Sequence, residues 1–372
     1  MKKTLITLAA LSTFAGIAKA QSTVTLYGIA DAGVLYTSNV NTPKGGKSLW
    51  QLASGNASGS RWGFKGSEDL GGGLKAIFQL ENGFGINNGT FGQGGRLFGR
   101  QAFVGLSSAE FGALTMGRQY NAMQDFVEPF AAAGWSLAQL ATHPFDNDNL
   151  DNTFRTDNSI KFSSRVISGF QAEAMYAFSN STNFANNRSY SVGATYVNGP
   201  LKFGAGYARM QSPGAIGGAV VGNPSSSGVS DPLISGSRVD QWGAAGSYVY
   251  GPATVRLLYT GSLYTDSSTP LTATRGSIHF HNFDGSVSYR LTPTVVLALA
   301  ESYTGVSQAG DSGHYLQTSA GADYLLSKRT DLYANVFYQK TSGNLHASIN
   351  AAGGTASGSA QTAVVIGMRH RF

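Results

Sequence analysis

The 372-residue sequence contains no cysteine, so no disulfide framework or thiolate metal site is available to it. Charge is also scarce. Asp, Glu, Lys and Arg together make up 12%, about half the ~25% usual in a globular domain. The formal net charge of +6 is spread thinly, with no block of Lys and Arg, which argues against a nucleic-acid partner. The six histidines, His143, His279, His281, His314, His346 and His370, sit in no nucleophile or metal-ligand motif. No enzyme, cofactor or metal is therefore expected. Proline is limited to 10 residues. Beyond residue 20 no apolar run approaches the roughly 20 residues that a membrane helix needs. If the chain crosses a membrane, a closed barrel is the remaining way to satisfy its backbone.

The first twenty residues read as an export signal. Lys2 and Lys3 form a positive start, Leu5 to Ile17 an apolar segment, and Ala18-Lys19-Ala20 a small-x-small cleavage site. The apolar segment is too short for a membrane anchor. Removal of 1–20 takes away three lysines, lowers the formal charge from +6 to +3, and leaves 21–372 as the folding unit.

Glycine (49), tyrosine (17) and phenylalanine (21) are plentiful. Barrels use aromatic residues at the membrane interfaces and glycine where strands bend. Period-2 alternation recurs in segments of about ten residues, the length of a tilted membrane strand. Leu201, Phe203, Ala205 and Tyr207 alternate with Lys202, Gly204, Gly206 and Ala208. Phe170, Ala172, Ala174, Tyr176 and Phe178 alternate with Gln171, Glu173 and Met175, and similar patterns cover 74–81 and 189–196. Tight turns are expected at 69–72, 109–112, 167–169, 198–200, 250–252, 291–293 and 327–329. Longer Gly/Ser/Asn-rich loops are expected near 37–58, 83–95, 121–154, 180–188, 212–237, 262–274, 306–313 and 343–360. Seven turns and eight loops separate sixteen strands. This predicts an all-β, antiparallel transmembrane barrel with short periplasmic turns and long external loops. Two features break the pattern. Segment 275–290 changes parity near Asn282, as a bulge would, and strands near 24–36 and 97–107 show no clean lipid face, as a subunit seam would. A soluble sandwich or solenoid is disfavoured by the low charge and by the closing run Val364, Ile366, Met368, His370 and Phe372, which ends on an aromatic residue.

Several segments together resemble the Gram-negative general diffusion porins, closest to the anion-preferring branch of β-proteobacteria. They are Val24 to Gly33, Ser60-Arg61-Trp62-Gly63-Phe64-Lys65-Gly66 with Glu68 to Gly73, Gly99 to Leu106, Phe111 to Tyr120, and the terminal Phe372. The resemblance implies a homotrimer in the outer membrane of a Gram-negative bacterium, with the long loop after the fifth strand, about 121–154, folded into the lumen as a constriction. It also implies an assembly-signal role for Phe372.

A pore needs a constriction whose size and charge decide what passes. Alternation turns Arg61 and Lys65 inward, opposite Trp62 and Phe64, and places Arg155 with Lys161. In the resembled family, arginines matching Arg61, Arg100 and Arg155 form a positive ladder on the wall. Arg118 shares parity with Leu114 and Met116, so its direction is ambiguous. The facing loop offers Asp125, Glu128, Asp146, Asp148 and Asp151, although Asp146 to Asp151 could equally cap a loop helix or hold an incidental cation. The family's Pro-Glu-Phe-type motif is replaced by Glu128-Pro129-Phe130. Segment 131–140 is helix-compatible, and Trp135 is a candidate anchor of the loop to the wall. The expected function is passive diffusion of small hydrophilic solutes with a modest anion preference. The rivals are a substrate-specific channel for a sugar or organic anion, supported by inward-parity Tyr333 and Phe337, and a surface adhesin.

Overall fold

The structure is a computed structural model that describes residues 22–134, 137, 139–213, 218–220, 236–269 and 272–372. The export signal 1–20, Trp135 and most of 212–237 lie outside the described residues. One antiparallel sheet closes on itself as a sixteen-stranded barrel. Its strands are β1 (Thr23–Thr42), β2 (two halves, Gly45–Ser54 and Arg61–Gly71), β3 (Leu74–Gly83), β4 (Gln101–Ser108), β5 (Gly112–Gln119), β6 (Thr156–Ser164), β7 (Phe170–Ala177) and β8 (Ser189–Asn198). They continue as β9 (Leu201–Gln211), β10 (Arg238–Tyr250), β11 (Ala253–Thr269), β12 (Thr272–Arg290), β13 (Val295–Gln308), β14 (Asp311–Leu325), β15 (Thr330–Thr341) and β16 (Ala360–Arg371). No helix among the described residues is long and apolar enough to cross a membrane.

Each neighbour pairs with the next, and β16 returns to β1 from Ile29↔Arg371 to Thr37↔Ala363. The seam is extended by Phe372, whose N–H donates to the Gly28 carbonyl at 3.0 Å while the Gly28 N–H donates back at 3.0 Å. The Phe372 ring lies over Gly28, and any Cβ on that glycine would overlap it. Stave β2 is broken because 55–60 turns inward. The Asp31 carboxylate accepts from the N–H groups of Ala57 (3.0 Å) and Ser58 (2.7 Å), which fixes the detour.

All seven tight turns fall where the glycine, proline and polar punctuation puts them. Three expected loops do not. β1 runs 20 residues and β12 runs 19, against the roughly 9–11 needed to cross a bilayer. The segments near 262–274 and 306–313, and the 37–54 part of the segment near 37–58, therefore continue as paired hairpins beyond the membrane, where both faces can be polar and strand alternation disappears from the sequence. Nor is there a bulge at Asn282. The β12 register runs unbroken against β13 from Ile278 to Arg290. Ile278 and Phe280 point inward, into an apolar cluster with Phe154, Tyr264 and Tyr315, while His279 and His281 point outward. Strand β1 does have an outward face. Val24, Leu26 and Val34 occupy it, and Gly28, Ala30 and Ala32 between them are too small to register as a lipid stripe.

Candidate constriction site

Loop 120–155 crosses the lumen after β5. A short helix, Ala122–Phe126, begins it with a reciprocal cap: the Asn121 side chain accepts from Met123 N–H (2.9 Å), and Gln124 accepts from Asn121 N–H (3.1 Å). The helix lies directly on the inner wall, where Gly204 admits it; a Cβ there would overlap the Phe126 carbonyl oxygen. Short 3-10 turns follow at Glu128–Phe130, Ala132–Gly134, Gln139–Ala141 and Pro144–Asp146, and the helix-compatible segment 131–140 lies partly outside the described residues. Buried Leu137 and Leu140 pack with Leu35, Tyr333 and Phe337 of the wall. Each such leucine contributes roughly 1.5–3 kcal/mol on burial.

A polar latch holds the far end. His143 lies between two carboxylates, with Nδ1 2.7 Å from Asp148 and Nε2 2.8 Å from Asp284 of β12. Carboxylates only accept, so both ring nitrogens carry protons and the ring is an imidazolium. Burial opposes that charge, but Asp148 and Asp284 outweigh it and hold the His143 pKa well above its ordinary value. Asp148 also accepts from the Thr260 hydroxyl of β11. Next to it, the Asn147 carbonyl accepts from Tyr264 (2.5 Å) and Gln241 (3.1 Å).

The five loop acids therefore divide. Asp125 pairs with Lys161 of β6 at 2.6 Å. Asp146 is buried and caps its own loop, accepting from Asp151 N–H (2.8 Å) and Thr153 N–H (2.9 Å); burial beside Asp148 pushes its pKa up to about 7. Asp148 belongs to the latch. Glu128 and Asp151 are the remaining two, and Asp151 lines the cleft that the arginines share. Glu128 accepts from Asn152 at 2.7 Å, and Asp151 from Asn350 at 3.2 Å. Burial pushes Glu128 up to about 7 and raises Asp151 well above the usual carboxylate range, with Asp146 and Glu128 adding to the latter. No group of ligands suited to a metal ion occurs among the described residues.

On the opposite wall three arginines converge. Arg100 contacts Glu81 at 2.7 Å and donates to the Tyr120 hydroxyl at 2.8 Å. Arg155 lies over the Tyr120 ring, 5.5 Å from its centroid. Arg61 is held by its Nε donating to the Gly59 carbonyl at 2.8 Å. A Cβ placed on Gly59 would lie 3.3 Å from Arg100 Nη1, and 3.9 Å from both Arg61 Nη2 and Gln139 Nε2, so wall and loop meet at this glycine. Arg100 and Arg155 share a cleft of about 240 Å³ with Gln139, Asp151, Asn152 and Asn350. Lys65 stands apart, 5.3 Å from the Tyr27 ring centroid. Arg118 is turned to Asp157, which Arg96 also contacts at 3.0 Å; a register shift between Gly117 and Gln119 accounts for its ambiguous parity.

The model of the Gram-negative porin family matches residues 7–344. The chain belongs to the Gram-negative porins. This porin is 34% identical to an outer membrane porin protein of Bordetella pertussis and 31% identical to outer membrane porin protein 32 of Delftia acidovorans, in each case over the full length of both chains. Its fold matches an anion-selective porin from Comamonas acidovorans with a TM-score of 0.75 at 26% identity, covering 95% of this chain and 100% of that one. It is thus an outer-membrane barrel of the diffusion-channel type, related to the anion-selective and general diffusion porins of β-proteobacteria, a family that is not enzymatic.

Four participants escaped the sequence reading. Glu81 was visible only as the polar parity of β3, and Tyr120 as the end of a motif. Gln139 carries no signal at all. His143 could not be recognised as a latch because Asp284 lies 141 residues away.

Proposed function

We propose that this porin passes small hydrophilic solutes by diffusion and favours anions over cations at the constriction formed by loop 121–154. The observation that carries the reading is the imbalance across the cleft. Arg61, Arg100 and Arg155 converge on one side, where Glu81 pairs with Arg100. On the other, Asp125, Asp146 and Asp148 are committed to Lys161, to the loop's own backbone and to His143. Charges within a confined pore outweigh those farther than about 8 Å at physiological salt. The Comamonas protein's printed description as anion-selective supports the same preference. An aromatic sugar path loses its support, because Tyr333 donates to Asp31 at 2.6 Å and Phe337 is buried beneath the loop. Reversal potentials in a KCl gradient across a planar bilayer test the reading. Anion preference is expected, reduced in Arg61→Gln/Arg100→Gln, and cation preference in the wild type overturns it. The same reading includes cleavage of 1–20, an assembly role for Phe372, and a homotrimer in outer-membrane lipid whose subunits meet at the small-residue outer face of β1.

A further inference from the structure

Arginines are not expected on the lipid-facing parity of a barrel strand, yet adjacent staves of this porin carry them there. In β9 the outward residues are Leu201, Phe203, Ala205, Tyr207 and Arg209, and the ladder sets Arg209 between Tyr190 of β8 and Asp240 of β10. One step closer to the long external loops, Gln211 lies opposite Arg238 and its N–H donates to the Arg188 carbonyl at 2.9 Å. The outer surface therefore has a top row of Arg188, Gln211 and Arg238, then a row of Tyr190, Arg209 and Asp240. From the top row at Gln211 back to Leu201 at the periplasmic turn is ten residues, about 33 Å along a strand tilted by about 35–45°, a height of about 23–27 Å that matches the ~25 Å of a barrel's apolar band, with Arg209 one step below. The arginines thus stand at headgroup level on the external side.

Their pairing is incomplete. Asp240 contacts Nε of Arg209 at 2.5 Å and Nε of Arg238 at 2.7 Å, so one carboxylate serves two guanidinium groups. Those side chains keep 35% and 38% of their surface exposed. The rings of Tyr190 and Tyr207 brace Arg209, with centroids 6.0 Å and 5.9 Å away. Asp266, the other acid at this edge, accepts from Ser237 at 2.9 Å. Arginine forks suit phosphate oxygens, and anionic lipid attracts basic residues at a membrane surface.

We propose that Arg188, Arg209 and Arg238 form a binding site for the phosphate of an outer-leaflet lipid on the outer face of β8–β10. The proposal is independent of the anion preference, because these side chains do not face the lumen. Native mass spectrometry of the detergent-solubilised porin with lipid A, a phosphorylated glycolipid, tests it. Wild type should retain lipid A about tenfold or more tightly than Arg188→Gln/Arg209→Gln/Arg238→Gln. Single-channel conductance of that variant should be unchanged. Dephosphorylated lipid A should bind the wild-type porin as weakly as lipid A binds the variant, a comparison that holds even if the variant folds poorly. Equal retention of the two lipids by wild type, or of lipid A by wild type and a folded variant, overturns the proposal. So does full displacement of lipid A by inorganic phosphate, which would mark a site for free anions.

Discussion

Glu128 is the residue at which the charge of the constriction becomes adjustable. Burial raises its pKa to about 7, so it passes from mostly ionised to mostly neutral as the pH falls from about 8 to 6. Protonation removes a negative charge from the side facing Arg61 and Arg100. Anion preference should therefore rise on acidification, with the reversal potential moving further toward the anion limit. Glu128→Gln should hold the higher preference at both pH values. A wild-type reversal potential that is flat between pH 8 and 6 would exclude this role. Gly28 offers a second test at this scale. With the Phe372 ring against its Cα, Gly28→Val should disturb docking of β16 and lower the fraction of barrel that resists SDS before heating. An overpacking cost of about 1–3 kcal/mol is the scale to expect.

At the scale of elements, the inward loop depends on a latch whose strength varies with pH. The His143 pKa is raised, so its contribution is fully present below the ordinary histidine value of about 6.5 and is lost as pH rises through the elevated folded value. The Asp148 pKa is lowered by His143 against the effect of burial, so its contribution is present above about 4 and fades as pH falls through its depressed value. Anchoring should be strongest between about pH 4 and 6.5. Replacing His143 with Phe leaves two buried carboxylates unpaired, a change worth about 3–5 kcal/mol in comparable cases. Single-channel recordings of His143→Phe should show larger and noisier open currents than wild type, and quiet wild-type-like traces would mean the apolar clusters hold the loop without it. The same latch shows where sequence reading stops. Turns were legible because glycine and proline announce a local backbone geometry, and strand parity turned Arg61 inward, whereas Arg118 stayed ambiguous and Arg100 and Arg155 lie just outside strands. The partition of the acids was not legible, because Asp148 is committed by Thr260 and Asp125 by Lys161, partners 112 and 36 residues away. Parity also misled at Ile278 and Phe280, whose apolar side chains face a lumen that the loop has filled.

For the whole molecule, the question is how sixteen staves divide their outer surface. The face of β8–β10 carries arginines and tyrosines at its upper edge and suits lipid headgroups. The face of β1 is different: Ala30 and Ala32 form a small-residue strip between Val34 and the Phe372 ring that covers Gly28, with Val104 and Leu106 of β4 exposed nearby on the same side of the barrel. In lipid, burial of apolar surface gives little drive to association, so small residues that let backbones approach closely are what make a protein–protein seam favourable. If β1 lies at such a seam, Ala30→Trp should block the approach without touching the lumen, since residue 30 faces outward. Unheated gels and light scattering should then show wild type at three subunits per particle and Ala30→Trp as monomers. Bilayer conductance should lose its threefold grouped steps while each single step keeps the wild-type size and ion preference. A trimeric Ala30→Trp would move the seam elsewhere on the barrel, and a changed single-step conductance would show that β1 and the inward loop, joined through buried Leu35, are mechanically coupled.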